Sequence, residues 1–108
     1  MKAENLFDAI PPKLTDELFS TIHRAKNFHI ERIVSQGHCS PPGFWYDQIE
    51  HEWLIVLEGS ASIQLQNETE PVELHRGSYL NIPAHVRHRV LQTSSNQQTV
   101  WLTIHYGD

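Results

Sequence analysis

Residues 52–66, Glu-Trp-Leu-Ile-Val-Leu-Glu-Gly-Ser-Ala-Ser-Ile-Gln-Leu-Gln, decide the fold. A short apolar run ends at Glu58-Gly59, and beyond that turn Ala61, Ile63 and Leu65 alternate with Ser62, Gln64 and Gln66. A period of two with one wet face is the pattern of a strand, so the segment predicts two strands joined by a turn. The same texture extends outward: β-branched and aromatic runs at 28–35, 43–48, 72–74, 79–82, 87–92 and 99–106 are separated by turn residues such as Asn67-Glu68-Thr69, Arg76-Gly77 and Pro83-Ala84. Short strands at this spacing, with no helical period after Arg24, predict an all-β sandwich or barrel over residues 27–108. Residues 1–26 read as a lead-in with one short helix from Thr15 to about Arg24. Thr15 would cap it, Asp16 and Glu17 suit its positive end, and Leu14, Leu18, Phe19 and Ile22 form an apolar stripe.

Composition narrows the function classes. A chain of 108 residues with 39% hydrophobic and 19% charged side chains builds one core and is not a disordered segment. The formal net charge is -5 and the sole basic cluster is Arg87-His88-Arg89, which argues against a nucleic-acid partner. The apolar run Trp53–Leu57 is too short to cross a bilayer, and the first residues lack the order of a secretory signal, so the expectation is a cytoplasmic protein with no membrane partner. Cys39 stands alone, which excludes an intramolecular disulfide and a cysteine-based zinc finger. Eight histidines raise the prior for metal chemistry.

Two segments carry a resemblance. Glu52-x6-Gly59 fits the second half of the first cupin motif, Gly-x5-His-x-His-x3or4-Glu-x6-Gly. Gly77-x5-Pro83-x-His85-x2-His88-x3-Gln92 follows the second, Gly-x5-Pro-x-Gly-x2-His-x3-Asn, with His85 in place of its second Gly and Gln92 in place of its Asn. The chain therefore resembles the small single-domain cupins, and the resemblance implies a double-stranded β-helix, or jelly-roll barrel. It also implies a bound divalent metal ion, a small-molecule ligand and a homodimer. Dioxygenase, isomerase or lyase activity would be compatible with it. The paired motif histidines are absent: a four-residue spacer places Trp45 and Asp47 there, and a three-residue spacer places Tyr46 and Gln48.

The resemblance implies a candidate site at these motif positions, and strand parity fits it. Glu52 shares its face with Leu54 and Val56, so it turns toward the interior, where His88 on another strand can meet it. Asp47 or Gln48 would be the third metal donor, Asp47 being the stronger one. Such an oxygen-rich set suits zinc, iron or manganese. His51 and His85 are candidates for moving protons near the barrel mouth. His23, His29, His38, His75 and His105 read as surface or packing residues, Trp45, Tyr46, Trp53 and Trp101 as core aromatics, and Arg87 and Arg89 as exposed charges. The alternative to an enzyme is a non-catalytic binding or sensing module, with or without metal.

Overall fold

The computed structural model describes residues 1–107. Eight strands follow in chain order: β1 (Leu18–Arg24), β2 (Phe28–Ser35), β3 (His51–Glu58), β4 (Ala61–Leu65), β5 (Val72–Leu74), β6 (Tyr79–Ile82), β7 (His88–Thr93) and β8 (Thr99–Tyr106). They form a five-stranded sheet of order β1-β2-β8-β3-β6 and a three-stranded sheet of order β5-β4-β7, with antiparallel pairing throughout. The two sheets face each other as an all-β jelly-roll barrel: the strand alternation at 52–66 anticipates the all-β class, and the cupin resemblance implies the jelly roll.

The expected helix at 15–24 is not formed. Residues 18–24 make β1 instead, an edge strand paired with β2 from Leu18 opposite Val34 to Arg24 opposite His29. The physical reason is that Leu18, Phe19 and Ile22 suit either period, while Thr21 and Ile22 are β-branched and the neighbouring strand offers a complete ladder. A capped helix of this length has no comparable partner. The run at 43–48 likewise forms no named strand, and only Tyr46 makes an isolated bridge, to His88.

Inward parity divides the interior into two halves. On β3, Glu52, Leu54 and Val56 are buried and their neighbours are half-exposed. Leu54 and Val56 join Ala61, Ile63, Leu65, Leu74, Ile82 and Trp101 in the apolar core, where each fully buried Leu, Ile or Val contributes about 1.5–3 kcal/mol. Glu52 stands at the other, polar end. The outer face of β2 is pinned from behind by Arg32, whose guanidinium donates to the carbonyls of Leu6 at 2.9 Å and Asp8 at 2.7 Å.

Gly59, the last residue of the Glu-x6-Gly segment, makes the turn from one sheet to the other with φ +85°. A Cβ there would lie 2.5 Å from Thr99 Oγ1 and 2.8 Å from the Thr99 Cα. Gly59→Ala must therefore adopt a left-handed backbone and displace β8, and it should destabilise the fold by about 2 kcal/mol or more. A drop in thermal midpoint of several degrees checks this; an unchanged midpoint would show that the turn relaxes freely.

Candidate functional site

The polar half of the barrel is a cavity of about 90 Å³, and its lining includes Glu17, Glu31, Tyr46, Gln48, Glu52, His88, Thr103 and His105, with Leu54, Ile63 and Trp101 among the apolar residues below. Each polar group is placed by backbone parity. Thr103 and His105 share the inward face of β8 with Trp101, and Glu31 and Ile33 share that of β2. Residues 46–48 run alongside the segment before β7: Tyr46 N–H donates to the His88 carbonyl at 2.7 Å, His88 N–H to the Tyr46 carbonyl at 3.1 Å, and His85 N–H to the Gln48 carbonyl at 2.8 Å. Because alternate residues of an extended segment face alternate ways, Tyr46 and Gln48 line the cavity and Asp47 does not.

Glu52 and His88 converge. Glu52 Oε1 and His88 Nε2 are 3.3 Å apart, and both residues are buried. The other ring nitrogen, Nδ1, donates to the Val86 carbonyl at 2.9 Å. A carbonyl oxygen only accepts, so Nδ1 carries a proton and a neutral His88 aims a bare lone pair at the carboxylate. A proton or a cation must lie between them to make the contact attractive. For the proton, burial disfavours the imidazolium, but the hydrogen bond to Glu52, the bond to Val86 and the charge of Glu52 outweigh it, and the pKa of His88 rises above its usual 6.5. Tyr46 stacks on the His88 ring with centroids 5.4 Å apart. Burial raises its phenol pKa, as do the charges of Glu17, Glu52 and Glu31, so Tyr46 stays protonated and presents an O–H donor.

His51 and His85 hold the turn of the second motif rather than the cavity. His51 Nδ1 accepts from the Ala84 N–H at 2.9 Å, and the His51 ring lies 5.0 Å from that of Tyr106. His85 donates from Nδ1 to Asp47 at 2.9 Å, with both side chains exposed. His85 also has φ +64°, the left-handed backbone that explains a glycine at this place in the motif.

Several residues in and beside the cavity escaped the sequence reading. His29 and His105, read as surface or packing residues, are cross-strand partners on the inward face, their rings stacked 4.6 Å apart at 12°. With Glu50 they form a group whose donor atoms all lie within 4.8 Å of one another. Glu31 Oε1 stands 4.0 Å from His105 Nε2, and Glu17 accepts from the Ser35 hydroxyl at 2.6 Å. The available signal was parity: 29, 31 and 33 share one face, as do 101, 103 and 105.

A protein-family model described as a cupin domain matches residues 33–105. The structure of a "putative mannose-6-phosphate isomerase" from Ralstonia eutropha JMP134 superposes with a TM-score of 0.95 at 44% identity, covering 100% of both chains. A cupin superfamily protein from Desulfitobacterium hafniense DCB-2 aligns with a TM-score of 0.74 at 17% identity, over 92% of this chain and 84% of that one. A conserved protein of unknown function from Streptococcus pyogenes aligns at 0.76 and 15% identity, over 99% and 88%. The last two likenesses concern the fold alone. No curated protein matches the chain.

The raised His88 pKa has a sign that can be checked. Its folded-state value lies above 6.5, so the stabilisation it brings to the metal-free protein is complete below pH 6.5 and is lost as pH rises through the folded value. Denaturant midpoints of metal-free protein should fall across that window, and Glu52→Gln should flatten the slope and return the His88 ring titration toward 6.5. An unchanged titration in that variant would show that Glu52 does not hold the proton.

Proposed function

This chain belongs to the cupin family, and we propose that its barrel holds one divalent cation between Glu52 and His88 and admits a small, uncharged, oxygen-bearing molecule over it. The observation that carries the reading is the 3.3 Å approach of Glu52 Oε1 to His88 Nε2. Two tetrahedral ligands at about 2.1 Å from one ion sit about 3.4 Å apart. The Nδ1–H bond to Val86 leaves Nε2 as the coordinating atom, and outer bonds of that kind orient metal-bound histidines. Gln48, on the cavity wall, is the third donor; Asp47 is engaged by His85. This set fits zinc, iron or manganese less tightly than one with two further imidazoles would.

When bound, such an ion polarises a ligand oxygen. The chain's own groups do the rest. Tyr46 donates a hydrogen bond from its phenol, and the apolar floor of Leu54, Ile63 and Trp101 excludes water below the ligand. His51 and His85 keep the motif turn closed above it.

Charge decides the ligand class. Three glutamates and two histidines line the cavity, with no lysine or arginine among the lining residues. A phosphate would meet like charge at close range, so the sugar phosphate in the name of the Ralstonia relative is not the ligand class proposed for this interior. A polyol or a carbonyl-bearing carbon chain is, and about 90 Å³ accommodates the head of such a molecule. The presence of Tyr46 and Gln48 where the motif has imidazoles supports a second reading, a metal-free binding module. No helix among the described residues is long and apolar enough to cross a membrane. The outer face of the five-stranded sheet carries half-exposed Trp53, Ile55, Leu102 and Ile104 beside exposed Tyr79, which supports a homodimer through that face.

Elemental analysis of protein purified without chelator should find about one metal equivalent fewer in Glu52→Gln and in His88→Ala than in the unaltered chain. Equal metal in all three would remove the ion from this site and leave the metal-free module. Calorimetric titration should show mannose binding more tightly than mannose 6-phosphate; the reverse order would reject the ligand class. Turnover of the bound compound separates an enzyme from a binding module.

A further inference from the structure

We infer that the mouth of the barrel carries a second cation site, formed by His29, Glu50 and His105, that takes a borderline transition metal such as zinc, cobalt or nickel. The inference does not depend on the ion proposed at Glu52 and His88. His29 on β2 and His105 on β8 are directly opposed. Both turn to the inner face of the sheet, and opposed side chains there have Cβ atoms about 4.5–5.5 Å apart, close enough to share an ion. Glu50 reaches them from the bend that precedes β3, and the three donor atoms fall within 4.8 Å of one another. Among the described residues no other three His, Cys, Asp or Glu side chains come this close.

The chemistry selects the ion. Two imidazole nitrogens and one carboxylate oxygen suit a borderline divalent metal and leave positions open for water, whereas calcium and magnesium require a mostly oxygen shell. The two imidazoles stack with centroids 4.6 Å apart, which sets their ring nitrogens side by side within reach of Glu50. His105 is buried and fixed in the centre of the sheet, while His29 and Glu50 are half-buried. The donors close from 4.8 Å to the roughly 3.4 Å of a shared ion by side-chain rotation of the two freer residues. Glu31, 4.0 Å from His105, adds negative charge behind the site.

The test is titration of chelator-stripped protein with cobalt chloride, followed by visible absorption and by calorimetric stoichiometry. The double variant Glu52→Gln/His88→Gln should keep one cobalt equivalent. His29→Gln and Glu50→Gln should each weaken that equivalent by at least about tenfold, a loss already typical of removing an outer partner of a metal ligand. Cobalt uptake unchanged in His29→Gln and Glu50→Gln overturns the inference, and so does uptake of none by the unaltered chain. If the double variant fails to fold, the ring signals of His29 and His105 in the unaltered protein decide: shifts of both on zinc addition support the site, and unmoved signals refute it. Loss of metal from Glu52→Gln with both rings unmoved would leave the interior ion standing and remove this one.

Discussion

A buried carboxylate facing a buried imidazole is the constraint around which the rest of the barrel is arranged. Removing each charge from water costs several kcal/mol, and the mutual attraction of such a pair seldom exceeds that cost. Glu52 and His88 are therefore poorly explained as stabilisers of the fold. What the surroundings do is hold them in register: β3 is anchored between β6 and β8, Val86 fixes the His88 tautomer, and Tyr46 lies flat against the ring. Stability comes from the other end of the same interior, where Leu54 and Val56 continue the inward face of β3 into an apolar core.

That arrangement inverts the usual polarity of two strands. On β2 the inward residues are His29, Glu31, Ile33 and Ser35, and the more apolar Ile30 and Val34 face the other way. On β8 the inward residues are Thr99, Trp101, Thr103 and His105, while Val100, Leu102, Ile104 and Tyr106 face outward. An apolar-in rule assigns both strands the wrong way round. The inversion gives the barrel a polar mouth where a purely structural barrel would place the hydrophobic residues these strands already carry.

The two motif glycine positions show how backbone geometry is kept while side chains change. Gly59 has no room for a side chain against Thr99, so its identity follows from the close approach of two strands. His85 occupies a left-handed position where the motif has glycine, and its ring is used at the rim in a hydrogen bond to Asp47. The same exchange of one donor for another runs through 46–48, where a phenol and an amide stand in the places of two imidazoles and the segment still docks on His88 through its backbone.

The sequence by itself determined the all-β class, the turn at Gly59, the cupin resemblance and the convergence of Glu52 with His88. The class and the turn rest on local period, and the resemblance and the expected convergence rest on motif spacing, both of which are read without the register of distant strands. It could not determine whether residues 18–24 coil or extend, because Leu18, Phe19 and Ile22 satisfy both periods and only the open edge of β2 chooses between them. Nor could it place His29 opposite His105 or bring Glu50 and Glu31 to them, since that pairing joins residues separated by most of the chain. Which of Asp47 and Gln48 faces inward was equally a tertiary matter. The register of that loop is set by three backbone hydrogen bonds to residues 85–88, and a shift of one position would have exchanged the two side chains.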